Sequence, residues 1–149
     1  PAGPSSYELL YRSGAGLTPR PLRRIASGGE LSRVMLASKV VLGNADGVDT
    51  LVFDEVDAGV GGSTARALAG VLADLAATHQ VIVVTHLAQV AVMADKHYVV
   101  SKEPGDVPQT HLDEVTGDAR TAEIARMLSG DQSEASLAHA KQMLEEARG

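Results

Sequence analysis

The chain of 149 residues has no cysteine and no tryptophan, and Phe53 is its only phenylalanine. Without cysteine there is no disulfide scaffold, no Cys-ligated zinc site and no thiol nucleophile. So few aromatic residues argue against a base-stacking platform for single-stranded nucleic acid. No apolar run reaches the roughly 18 residues of a membrane span, so no membrane partner is expected. The opening Pro1-Ala2-Gly3-Pro4-Ser5-Ser6 lacks the apolar core of a signal peptide and reads as a linker or edge segment. The expectation is a cytoplasmic protein, with 7–149 forming one domain or one lobe of a larger one. The composition, 44% hydrophobic and 21% charged, is that of a globular chain able to bury roughly 70% of its unfolded surface.

The net charge of −6 is unevenly spread. Residues 1–43 carry +4 and the remainder −10, so a nucleic-acid contact would have to use the front third. Arg20, Arg23 and Arg24 are its only basic cluster, and a solvated or ion-pairing face accounts for them.

A short strand is expected around Tyr7–Tyr11, then a loop through Ser13–Gly16 and the two prolines Pro19 and Pro21. Leu31, Val34, Met35 and Val41 recur at helical spacing, with Gly43-Asn44 as the stop. Thr50–Phe53 is a short unalternating apolar run, as in a parallel strand covered on both faces. After a loop at Gly59–Gly62, Ser63–Ala77 reads as a helix with a Leu68, Val71, Leu72, Leu75 stripe. Val81–Val84 is a second strand, which completes a βαβ unit whose strands should be parallel. A short helix near Leu87–Ala94, strands at Tyr98–Ser101 and Gln109–Val115, and helices near Ala119–Leu128 and Glu134–Ala147 follow. The fold class is α/β.

Ligands of open parallel sheets bind at the carboxyl ends of the strands. Asp54 and Glu55 end one strand and His86 follows the other, so the βαβ unit brings all three to one rim. Paired carboxylates there suit metal-assisted phosphate chemistry. Asp54 can hold Mg²⁺ through its water shell, and Glu55 can orient or deprotonate a water. The alternative is plain: acids end buried strands because water begins there. Likewise Ser27-Gly28-Gly29-Glu30 satisfies the capping box at a helix start. Its two glycines, each costing up to about 1 kcal/mol against alanine, make sense if something approaches the backbone closely, and a phosphate would.

Together these segments resemble the distal half of an ABC-type ATPase head. Ala26-Ser27-Gly28-Gly29-Glu30 matches the signature motif and Leu51-Val52-Phe53-Asp54-Glu55 the Walker B strand. Val56-Asp57-Ala58-Gly59 corresponds to the start of the D-loop, and Val84-Thr85-His86 to the switch-histidine segment. The Asp-Glu-Val-Asp run is similar to the SMC and Rad50 branch. The strings from Ile25 to Arg33, Val84 to Ala91 and His97 to Glu103 resemble the RecN family of bacterial double-strand-break repair ATPases. The likeness runs from about Tyr7 to the C-terminus and departs at Gly61, where many relatives have Asp.

The resemblance implies a P-loop NTPase head of which this is the C-terminal lobe. No Gly-x-x-x-x-Gly-Lys-Ser/Thr occurs, and the family's coiled coil is absent, so the partner implied is the N-terminal head lobe. It further implies two heads sandwiching two ATP. Ser27, Gly28, Gly29 and Glu30 would face the nucleotide held by the second head, and Asp57 would help couple the two sites. Asp54 would hold Mg²⁺, Glu55 would position the hydrolytic water and His86 would sense the γ-phosphate. The function implied is ATP-driven repair or recombination of broken DNA, with ends or single strands as the DNA partner. The isolated chain is expected to be inactive. The alternatives are a non-catalytic, nucleotide-gated clamp, which would be expected to lack Glu55, and a self-sufficient Mg²⁺ phosphohydrolase, for which no lysine stands near a Gly-rich turn. The five histidines lie too far apart for metal-ligand spacing, and no Gly-x-Ser-x-Gly elbow is present.

Overall fold

The computed structural model describes residues 3, 7–24, 27–43, 47–105 and 108–147. Apart from Gly3, the segment 1–6 lies outside the described residues, as do Ile25, Ala26 and Asn44.

Two short strands, β1 (Leu10–Tyr11) and β2 (Arg20–Pro21), pair antiparallel. Only the end of the expected 7–11 strand is formed, and Pro21, expected in the loop, joins the strand opposite. A two-residue ribbon has no inner position for proline to disrupt. A 3-10 turn at Leu22–Arg24 leads to helix α1 (Gly28–Leu42). The helix begins where the sequence places its cap: the Ser27 hydroxyl accepts the Glu30 amide at 3.4 Å. It ends at Gly43, whose φ of 55° suits glycine.

The βαβ unit forms as expected. Strand β3 (Thr50–Phe53) runs parallel to β4 (Gln80–Val83), with Phe53 opposite Val83, and helix α2 (Gly62–Ala76) connects them. Leu68, Leu72 and Leu75 of α2 pack with Leu51, Phe53, Val56 and Leu36 of α1 into one apolar cluster, whereas Val71, expected on the same stripe, stays 37% exposed. The sheet is not covered on both faces, however. Val52 is 65% exposed and Val84 58%, because the helices lie on the side of Leu51 and Phe53 alone. On α1 the stripe expected from its periodicity is mostly uncovered: Leu31, Met35 and Val41 are exposed, Val41 at 84%, Val34 is half-buried, and Leu36 is the apolar side chain the helix buries.

The last third forms a second cluster. A one-turn helix α3 (Ala88–Ala91) is followed by an antiparallel hairpin, β5 (His97–Glu103) and β6 (Gln109–Val115). Helices α4 (Gly117–Ser129) and α5 (Glu134–Glu146) then pack Ile124, Ala125, Ala140 and Leu144 against Ala88, Ala91 and Val92. Arg120 of α4 donates to the Ala91, Val92 and Ala94 carbonyls, which satisfies the carbonyls at the end of α3. Burial foremost, then the Arg120 charge, pushes His97 below the usual histidine range, against a smaller opposing effect of Glu123.

Two features carry predictions. In the α4–α5 turn, Asp131 accepts from the Ser136 hydroxyl, the Ser133 amide and the Ser129 hydroxyl, which hold its carboxyl at about 2. A carboxyl lowered in the folded state stabilises above its unfolded value of 3.8 and loses that effect as pH falls to about 2. Asp131→Ala should therefore lower the melting temperature at neutral pH, and the gap to wild type should close between about pH 4 and pH 2. At α1, a Cβ on Gly29 would come within 2.8 Å of both the Ala58 Cβ and the Glu55 carbonyl, whereas one on Gly70 of α2 would meet nothing. Gly29→Ala should cost about 1–3 kcal/mol by overpacking in urea unfolding, and Gly70→Ala should stabilise by about 0.5–1 kcal/mol.

Candidate functional site

Phe53 and Val83 stand in register, and the Val84 amide donates to the Phe53 carbonyl at 2.9 Å. The chain therefore leaves both strands at the same level. Asp54 and Glu55 follow β3 directly, and Thr85-His86 follows β4 across the rim. This is the juxtaposition expected from the βαβ reading.

At Glu55 the backbone turns sharply. Its φ of 55° is left-handed, and it is the one such non-glycine residue among those described. Such a conformation costs of order 1–3 kcal/mol and persists where surrounding contacts fix it. Two tight turns follow, closed by Ala58 N–H to Glu55 O and Val60 N–H to Asp57 O, each 3.0 Å. They carry Val56 and Asp57 inward and leave Asp54 and Glu55 exposed.

Helix α1 lays its first turns on this segment. Ser32 donates its hydroxyl to the Asp54 carbonyl at 2.6 Å, and Arg33 donates Nη1 to the Val56 and Ala58 carbonyls at 3.1 and 2.9 Å. The Glu55 carboxylate lies over Gly28, so close that a Cβ there would collide with its Oε2. Gly28 and Gly29 thus do permit a close approach to the backbone, and in this chain the groups that approach are Glu55 and Ala58. The helix start and the strand end stand side by side within one chain, although the resemblance assigns them to two different nucleotides.

Asp57 is 2% exposed. Its Oδ2 accepts from the Thr85 hydroxyl at 2.5 Å and from the His86 amide at 3.1 Å, and the His86 Nδ1 lies 3.2 Å away. The Thr85 hydroxyl in turn accepts the Leu87 amide at 3.0 Å. The His86 side chain is 70% exposed. Thr85, Ser32 and Arg33 were given no role by the sequence reading. Their signal in the sequence is faint: a hydroxyl beside a strand-end histidine, and polar residues one turn into a helix marked by its apolar spacing.

Of the basic cluster, Arg23 pairs with Glu8 at 2.6 Å, as an ion-pairing face should. Arg20 and Arg24 line a cleft of about 350 Å³ with Tyr11, Thr18 and Glu30.

No group of three or more His, Asp or Glu able to hold a metal ion occurs among the described residues. Asp54 contributes one exposed hard oxygen donor, which fits Mg²⁺ held mainly by water and phosphate oxygens rather than a cage of side chains. Among the described residues no helix is long and apolar enough to cross a membrane.

No family model matches the chain. It is 51% identical over 146 residues to the DNA repair protein RecN of Treponema pallidum, covering 97% of this chain and 26% of that protein. To the RecN of Deinococcus radiodurans it is 53% identical over 143 residues, covering 95% and 25%, and to that of Streptomyces coelicolor 48% over 150 residues, covering 99% and 26%. The chain spans about a quarter of the length of these relatives, in their C-terminal part. Its fold is similar to a solved chain from work on ATP-driven dimerisation and DNA-stimulated activation of SMC ATPases. The TM-score is 0.50 at 21% identity, with 91% of this chain and 69% of that one covered. At about half identity across nearly its whole length, and with an α/β fold like that of an SMC ATPase head, the chain matches the C-terminal quarter of RecN DNA repair proteins.

Proposed function

We propose that this chain is the C-terminal lobe of a composite ATPase head that hydrolyses ATP between two engaged heads in the repair of broken DNA. The observation that carries the reading is the parallel register of β3 and β4. It brings Asp54, Glu55 and His86 to one rim, beside which Ser32 and Arg33 of α1 fasten the Ser27–Gly29 helix start.

Each residue then has a task its chemistry suits. Ser27 and the amides of Gly28 and Gly29 would receive the terminal phosphate of ATP bound by the second head. The helix dipole adds about 0.3–1 kcal/mol for an anion at an exposed helix start. Glu30 shapes that start, because its amide is the one Ser27 caps. Asp54 would hold Mg²⁺ through water, and the ion neutralises charge on the phosphates when bound. Glu55 would take a proton from, or orient, the attacking water. It would do so once it leaves Gly28, since a carboxylate and a phosphate cannot share one helix start. His86 would meet the phosphate that is cleaved. The uncovered face at Val52 and Val84 supports a site for the N-terminal head lobe, which would bring the phosphate-cradling loop. DNA, as ends or single strands, would be held by the whole protein in the cytoplasm. The RecN relatives are DNA repair proteins, and ATP-driven dimerisation and DNA stimulation are described for the SMC ATPases.

The test is Mg²⁺-ATP hydrolysis by this chain alone and mixed with a separately prepared N-terminal lobe. Activity should appear in the mixture only. Glu55→Gln should lower turnover by on the order of 10²-fold or more and accumulate ATP-bound dimers. Ser27→Arg should abolish turnover while leaving nucleotide binding by the same head largely intact. Near-native turnover in Glu55→Gln, or hydrolysis by the chain alone, would overturn this reading.

A further inference from the structure

His86 meets its own chain through one ring nitrogen and solvent through the rest of the ring. The Nδ1 lies 3.2 Å from Asp57 Oδ2, an oxygen that already accepts from the Thr85 hydroxyl and the His86 amide. A carboxylate oxygen only accepts, and a nitrogen lone pair held that close to it would be repelled. The favourable arrangement puts a proton on Nδ1. A neutral imidazole carries one N–H, so the lone pair is then on Nε2. We propose that Asp57, set in place by Thr85, is a positioning residue that fixes the tautomer and ring orientation of His86 and leaves Nε2 to meet the nucleotide. This rests on the ATPase reading for its purpose, but its geometry belongs to this chain alone.

The burial pattern suits the task. The Asp57 side chain is 3% exposed and that of His86 70%, so the fixed end is inside and the working end outside. Thr85 uses both capacities of its hydroxyl, donating to Asp57 and accepting from the Leu87 amide. A serine could do the same and a valine could not. The resemblance gives Asp57 a part in coupling the two sites, whereas its carboxylate here faces the side chain of Thr85 and the backbone and ring of His86. A buried aspartate holding a histidine in one tautomer is an established way of presenting the other nitrogen to a reacting group.

Long-range ¹H–¹⁵N NMR of the labelled chain reads the tautomer without any ATPase activity. Neutral His86 is expected to carry its proton on Nδ1, Thr85→Ser to keep it there, and Asp57→Ala to move population to Nε2–H. A wild-type ring protonated on Nε2 would overturn the proposal, as would a folded Asp57→Ala chain with an unchanged pattern. Where Asp57→Ala does not fold, the wild-type spectrum alone decides. In the assembled head, Asp57→Ala should lower kcat at least ten-fold with little change in KM, and Thr85→Ser should restore nearly full turnover where Thr85→Val does not. A raised KM at unchanged kcat would overturn positioning. Should no preparation hydrolyse ATP while the tautomer is as expected, the ATPase reading fails and the Asp57–His86 assignment stands.

Discussion

A buried carboxylate organises this molecule. Taking an ionised Asp out of water costs several kcal/mol unless hydrogen-bond donors replace the solvent. Asp57 finds them in the Thr85 hydroxyl and the His86 amide, 28 and 29 residues further along. The exits of β3 and β4 are therefore held together by more than the strand pairing that precedes them. Arg33 reinforces the arrangement by taking the carbonyls on either side of Asp57, so helix α1 is fastened to the same turn. The exits of both strands and the first turns of α1 thus meet at the turn that carries this one desolvated group.

The turn that carries Asp57 inward also explains the glycines. At a helix start, paired glycines forgo helical stability, so the local sequence asks for a close neighbour. That neighbour is the chain itself: the carbonyl of Glu55 and the Cβ of Ala58 press on Gly29, and the Glu55 carboxylate lies on Gly28. The left-handed backbone at Glu55 belongs to the same packing problem, since it lets an extended strand reverse at once and send Val56 and Asp57 beneath the helix.

The two apolar clusters show where local pattern and global packing part company. Leu68, Leu72 and Leu75 lie on one stripe of α2 and are buried together, as amphipathic periodicity requires. The apolar run at Thr50–Phe53 looks the same from either face of the strand, yet one face is packed and the other open. Whether a sheet face is covered depends on which helices the chain lays across it, and α1 and α2 both lie on one side. The exposed stripe of α1 has the same cause: spacing marks an apolar face without naming what it packs against.

Sequence alone determined the chemistry and order of the rim residues, the parallel βαβ unit, and the cap at Ser27. These rest on local rules: strand propensity, helical periodicity and side-chain capping act over a few residues. The tertiary structure decided the inward turn of Asp57, the roles of Thr85 and Arg33, and the open face of the sheet. These depend on hydrogen bonds spanning 25 and 28 positions and on packing between separate elements of the chain. The free energy of a buried polar group is set by which distant donors reach it, and no window of neighbouring residues contains them.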